Sequence, residues 1–479
     1  MSSIITFREF IETPRERFVD FDKKILIIGY GSVGQAILPI ILKHISSNPK
    51  NITVLEKDDH SKLFKQRNKN NGVQYVRKQI VAKNLDSTLS KYLEDGGFLI
   101  DVSLNIDAQS IMEWCFQHNV MYINTSLERW EHHSDEKIKN LADRTLYATH
   151  KEIREFAKKY PNAATCVATH GANPGLVTHL TKRALLELAK KNGKKVEAPQ
   201  DQQGWAQLMK SLKVRVVHIA ERDTQIIDKP KEVNEFVNSW SCEGFWAEGR
   251  APAEMGWGTH ENKHPEGGRS QGNAAYLEQP GLSVLMKSWV PVGGSYNGFC
   301  VQHSEAITIS EYFTTKDGSF RPSVYYVYQP TDAAIASVHE MRGRELDLQS
   351  KTRIAKDEVV SGMDELGVLL IGDDFAMWHG SQLEIEAARK LIPGENATSV
   401  QVVASMLGAI MWAIQNPRLG YIEPEQIPFD YVLKYADPYL GPIPFEMTDW
   451  RPNEDKNSLF YREYDARNPC SFENFRVWT

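Results

Sequence analysis

Two groups of residues in the 479-residue chain have types and spacing suited to chemistry. The first is Gly29-Tyr30-Gly31-Ser32-Val33-Gly34, a G-x-G-x-x-G that follows the apolar run Ile25-Leu26-Ile27-Ile28 and precedes apolar residues at helical spacing. In a strand, turn and helix the first glycine permits the tight turn. The second lets the backbone approach a pyrophosphate at the helix N-terminus, and the third lets helix and strand pack closely. Gly29, Gly31, Ser32, Val33 and Gly34 are therefore candidate cofactor residues. A second strand, 51–56, ends in Glu56, which can accept hydrogen bonds from ribose hydroxyls and would repel a 2′-phosphate, so the pattern favours NAD over NADP. Ser103-Leu104-Asn105 and Thr125-Ser126 follow later strands and are expected to line the crevice at the strands' carboxyl ends. The alternative is a glycine turn without a ligand.

The second group lies between Asn234 and Gly249, where Glu235, Trp240, Glu243, Trp246 and Glu248 interleave acid and aromatic with no basic residue. An aromatic face beside carboxylates suits an ammonium group. The same composition also suits a core strand with solvated glutamates. Polar residues at 220–225, 127–130 and 302–305 carry the same ambiguity. His260-Glu261-Asn262-Lys263-His264 matches H-E-x-x-H, which binds zinc only when both histidines share a helix face. Gly256 and Gly258 precede it and Pro265 follows, so a helix is disfavoured and no metal site is expected. Its histidines are read as loop residues that touch substrate or nothing.

The elements that must position these groups fall into two textures. Up to about residue 191, strands at 25–28, 51–56, 98–102, 120–124 and 163–168 alternate with helical segments around 108–117, 134–160 and 175–191, which predicts a parallel sheet. Beyond residue 193, strand candidates at 214–219, 282–286, 323–328 and 367–371 lack helical partners and predict a mainly antiparallel sheet. The fold class expected is α/β: a Rossmann doubly wound parallel sheet plus a second α+β domain. The Gly- and Pro-rich loop 249–272 is long enough to expect a function. Residues 393–399 open an apolar helix, 400–414, stopped by Pro417 and expected to return to the first domain. The divisions expected are 1–172, 173–390 and 391–479, the last with an aromatic tail from residue 438.

Composition narrows the field. A net charge of −6 gives no basic field for nucleic acid or anionic lipid. The longest apolar stretch, Val402 to Ile414, is interrupted by Ser405, and the N-terminus lacks the order of a signal peptide, so a cytoplasmic chain with no membrane partner is expected. Five widely spaced cysteines suggest buried reduced thiols.

Three runs carry a resemblance. His170-Gly171-Ala172-Asn173-Pro174-Gly175, Ile219 to Gln225, and Trp240 to Gly249 resemble the bacterial homospermidine synthases, within the saccharopine-dehydrogenase-like group, and the resemblance spans nearly the whole chain. It implies NAD as a recycled hydride carrier, a homodimer through the second domain, and polyamine substrates. Two putrescines would give sym-homospermidine and ammonia; spermidine and putrescine would give it with 1,3-diaminopropane. Trp240 matches the tryptophan that faces cationic intermediates, and Glu221 and Glu248 match carboxylates that hold ammonium groups or move protons. Glu128, Asn173, His303 and Glu305 match further site positions, with Asn173 and Pro174 also expected at the cofactor. Asn105 stands near a position that is acidic in the family, and Asp364 is a further candidate carboxylate. His303 is the candidate base near neutrality. A related reductase joining an aldehyde to an amino acid would need Arg or Lys for a carboxylate, which Trp240 to Glu248 lacks; a non-catalytic NAD sensor is the other rival.

Overall fold

Apolar strands alternate with amphipathic helices through the first lobe. The computed structural model describes Phe10 and residues 17–69, 71–130, 140–452 and 464–477. Its first lobe comprises β1 (Ile25–Ile28), α1 (Ser32–His44), β2 (Ile52–Glu56), α2 (Ser61–Arg67), β3 (Gln74–Arg77), β4 (Phe98–Asp101), α3 (Ala108–Gln117), β5 (Met121–Asn124), α4 (Leu146–Ala157) and β6 (Cys166–Val167). β1, β2, β4 and β5 are buried at every residue, which fits continuous Ile, Leu and Val runs covered by helices on both faces. Part of the helix expected over 134–160 lies outside the described residues, and α4 forms the rest. α5 (Leu176–Lys191) then leads to the second lobe.

That lobe contains β7 (Val216–Asp223), α6 (Cys242–Arg250), β8 (Pro252–Gly256), β9 (Gly268–Gln271), β10 (Ala274–Pro280), β11 (Leu285–Val290), β12 (Gly294–Phe299), α7 (Ser304–Tyr312), β13 (Ser323–Gln329), β14 (Met363–Ile371) and β15 (Ala376–Glu384). α8 (Ala397–Gln415), β16 (Tyr421–Ile422) and β17 (Phe445–Thr448) follow. The large sheet runs β9, β10, β8, β13, β7, β14, β15, β17, with the β11–β12 hairpin attached through β13. Its pairings are antiparallel except for β7 beside β13.

The chain then returns to the first lobe. β16 pairs in parallel with β6 and completes the order β16, β6, β5, β4, β1, β2, β3. α8 packs against α1. By length and composition α8 could cross a membrane, yet nearly all of it is buried between the lobes' elements. Asn396 caps it, accepting from Ser399 N at 2.9 Å, while its own amide donates to Ser239 O and Ala355 O.

One expectation of loop structure needs correction and another holds. The long loop 249–272 contains β8 and β9, with irregular chain over 257–267 between them, and its buried Glu254 accepts hydrogen bonds from Leu146 N and Tyr147 N at the start of α4. It ties the lobes together. The residues of the H-E-x-x-H are not helical, and neither histidine lines the main cavity. His260 Nε2 donates to Cys470 O at 3.1 Å and Glu261 accepts from Phe472 N at 3.1 Å, so the pair fastens the C-terminal segment onto the sheet. His264 stacks on Trp257. All five cysteines are free and buried.

Candidate active site

β1 delivers the chain to a turn in which Gly29 has φ +98°, a left-handed conformation that favours glycine, and a Cβ there would lie 2.7 Å from Val102 O. A Cβ on Gly34 would overlap the carbonyl oxygen of Gly29, so Gly34 is the packing contact between α1 and β1. At Gly31 a Cβ meets nothing within 4 Å, because this residue faces open space. α1 begins there without a side-chain cap, leaving its first N–H groups to a ligand. Glu56, buried at the end of β2, holds the turn from the other side: Oε2 accepts from Tyr30 N at 2.6 Å and Oε1 from Asp58 N at 2.9 Å. Gly29, Gly31, Ser32, Val33, Glu56, Ser103, Thr125, Asn173 and Pro174 all line one cavity of about 1070 Å³, while Gly34 lies beneath it. An open glycine, uncapped N–H groups and a carboxylate at the next strand's end fit a dinucleotide, with the diphosphate over the turn and the ribose at Glu56.

The other wall of this cavity comes from the second lobe. Glu221 on β7 accepts from Asn173 Nδ2 at 2.5 Å and from the Tyr326 hydroxyl at 2.6 Å, both on Oε2, which leaves Oε1 for a ligand. Trp240 precedes the Ser241 N-cap of α6, and its indole N–H donates to Tyr328 OH at 3.0 Å, which fixes the ring's orientation. Two residues before the end of α6, Glu248 points at His303 with Oε2 3.7 Å from Nε2. His303 Nδ1 donates to Glu305 Oε2 at 2.7 Å, and its ring packs edge-on against Tyr326. From the first lobe, Glu128 accepts from Ser126 Oγ and from Asn105 N, while Asn105 takes a left-handed φ of 65°.

Burial sets the protonation states. It pushes Glu221 up to about 8 and Glu248 up to about 7. For His303 burial acts downward, but the adjoining carboxylates of Glu305 and Glu248 outweigh it and hold the imidazole up at about 9. At neutral pH this environment favours the protonated imidazole.

Eighteen positions were expected at the site, and three of them do not line the cavity: Gly34, Glu305 and Asp364. Glu305 stands behind His303 and orients it. Asp364 on β14 is wholly buried, opposite Asp223 in register, and accepts from Thr398 Oγ1 at 2.6 Å. Thr398 itself reaches the cavity, so Asp364 is one hydroxyl removed from it. Burial and the nearby Glu221 and Asp223 hold the Asp364 carboxyl well above the usual range. Gln302, from a segment whose polar residues the sequence left open between site and structure, lines the cavity, as do Tyr326 and Thr398, which the sequence reading did not name. Tyr326 had a signal in sequence, since it alternates with Tyr328 along β13; Thr398 had none. The most informative feature is a set of acceptors: Asn105 Oδ1, Glu248 Oε2 and Gln302 Oε1 are buried, line the cavity, and lack hydrogen-bond partners among the described residues.

A glycine-loop parallel sheet facing an acidic, aromatic wall defines a dinucleotide-dependent enzyme of the saccharopine dehydrogenase group. Residues 25–167 match the model of the saccharopine dehydrogenase NADP binding domain, and residues 171–444 match that of the saccharopine dehydrogenase C-terminal domain. Within that group the chain belongs to the homospermidine synthase family. It is 39% identical over 470 residues to the homospermidine synthase of Mesorhizobium japonicum, covering 95% of this chain and 96% of that protein. To the enzyme of Blastochloris viridis it is 37% identical, over 95% of this chain and 98% of the other. The crystal structure of homospermidine synthase from Legionella pneumophila in complex with NAD superposes with a TM-score of 0.89 at 37% identity, covering 96% and 99% of the two chains.

Proposed function

We propose that this chain condenses two putrescines to sym-homospermidine and ammonia, or putrescine with spermidine to the same product and 1,3-diaminopropane, using NAD. The observation that carries the proposal is the set of buried acceptors without donors in the cavity that Trp240 also lines. An ammonium brings three donors and a charge, whereas the carboxylate required by the reductase rival would face Glu221 and Glu248.

The residues divide the work. The glycine turn, the α1 N-terminus and Glu56 bind the dinucleotide, and bound NAD supplies hydride acceptance and return. Glu128, Asn105 and Gln302 offer acceptors to amino groups at the first-lobe side and at the approach to α7. Glu221 and Glu248 accept protons as the donor amine is oxidised to an imine, and the Trp240 face stabilises the cationic species. The second amine adds to the imine carbon, the C–N bond to the departing nitrogen breaks, and His303 Nε2 returns a proton to the leaving ammonia. Hydride and a proton then reduce the new imine, so atoms and electrons balance without an external oxidant. A homodimer belongs to the same proposal, and sedimentation of the purified chain tests it.

Incubation with putrescine and catalytic NAD tests the activity. The expected result is one ammonia per homospermidine by polyamine chromatography, with no net NADH. Accumulating NADH without homospermidine would overturn the reading.

A further inference from the structure

We propose that Lys356, Glu395, Arg67 and Gln35 form a clasp between the lobes that limits escape of the dinucleotide and so retains it between the two half-reactions. The inference rests on the reading that a dinucleotide occupies the cavity and returns the hydride it receives.

Glu395, just before α8, is wholly buried and placed between two cations. One is Arg67 at the end of α2, which donates to Glu395 Oε1 and, at 3.1 Å, to Gly394 O. The other is Lys356, between the second-lobe strands Lys351–Ile354 and Val359–Ser361, whose Nζ lies 2.7 Å from Glu395 Oε2. The same Nζ donates at 3.0 Å to Gln35 Oε1 on α1, and Gln35 Nε2 donates at 2.9 Å to Tyr30 O. Tyr30 is the middle residue of the first glycine pair, and its N–H is held by Glu56. Hydrogen bonds thus run from Lys356 of the second lobe through Gln35 to the backbone of the cofactor turn, and the same ammonium is ion-paired to the buried Glu395, which also holds Arg67 of the first lobe.

Gln35 and Lys356 both line the cavity. Lys356 therefore places a second-lobe cation on the side of the cavity where the turn would hold a diphosphate, which is complementary in charge. None of the four residues has a part in the chemistry proposed above. Drawing the lobes apart parts Gln35 from Lys356 and Arg67 from Glu395, which leaves the buried carboxylate with one cation in place of two, and truncating one partner of a buried charge pair acts mainly on dissociation.

The test is a chase. Protein loaded with NADH is mixed with excess NAD, and loss of bound NADH fluorescence is followed by stopped flow. Lys356→Met should release cofactor about 30-fold faster or more, and Lys356→Arg should stay near the parent rate. Gln35→Ala cuts the same chain without removing a charge and serves if Lys356→Met lowers the melting temperature. A second readout uses putrescine deuterated at both amine-bearing carbons with excess unlabelled NADH. The parent should return deuterium to the product, while Lys356→Met should incorporate hydrogen from the pool. A defect in folding alone lowers turnover without changing that isotope content. Equal chase rates and equal deuterium in parent and variants would overturn the clasp alone, whereas a parent that already incorporates pool hydrogen would overturn the retained-cofactor reading beneath it.

Discussion

Trp240 and the carboxylates around it can be separated by substitution. The cation–π contribution is worth about 2 kcal/mol when desolvated, so Trp240→Phe should keep more turnover than Trp240→Leu, and equal losses would leave only shape. Because burial holds Glu221 at about 8 and Glu248 at about 7, both retain much of their proton at neutral pH. A bound ammonium favours the ionised forms, so putrescine binding near pH 7 should release protons to the solvent. Calorimetry in buffers of different ionisation enthalpy measures that release; none, or uptake, would contradict the site's charge state. At this scale the sequence was legible where chemistry depends on local spacing, as in Gly29 to Gly34 and Trp240 to Glu248. Thr398 was not, since it reaches the cavity only through the way α8 packs on the second sheet.

Elements were read well where apolar period and length agreed, and less well where glycine served packing. The segment 234–249 divides: Glu235–Asn238 is a buried strand, as composition also allowed, with Glu235 ion-paired to Arg353, whereas Cys242–Arg250 is a helix capped by Ser241. Gly249 obscured it: a Cβ there would overlap Leu282, so this glycine marks a close approach inside the helix. The cofactor turn allows a paired prediction. Gly31 has φ −70° and open space ahead of it, so Gly31→Ala should fold with little change in melting yet lose NAD affinity. Gly34→Ala should instead lower stability, by about 1–3 kcal/mol as overpacking does. Thermal melts with and without NAD, beside calorimetric titration, distinguish the two; a Gly31→Ala protein with unchanged affinity would misplace the diphosphate.

For the whole molecule the Glu254 tie gives a pH dependence. Its carboxyl is raised from 4.5 to about 7 by burial, against the opposing pull of the Tyr147 and Leu146 amides. A folded value above the unfolded one gives a stabilising contribution that is full below about 4.5 and is lost as pH rises through about 7. The melting advantage of the parent over Glu254→Gln should therefore shrink between about pH 5 and about pH 8; a constant difference would mean that Glu254 does not titrate in the fold. The sequence announced both lobes but not the ties between them, because Glu254 to α4 and Glu395 to Arg67 and Lys356 join residues far apart in the chain. The return of the chain to the first lobe has a consequence for synthesis. β16 supplies an edge of the first sheet only after residue 421 has been made, and α8 reaches α1 scarcely earlier. A growing chain on the ribosome thus carries an open β6 edge and an uncovered α1 until an apolar helix long enough to span a bilayer emerges and β16 follows it. Nascent chains halted near residue 395 should bind chaperone and resist compaction, and those halted beyond about residue 450, with room for the exit tunnel, should become protease-resistant in a single step.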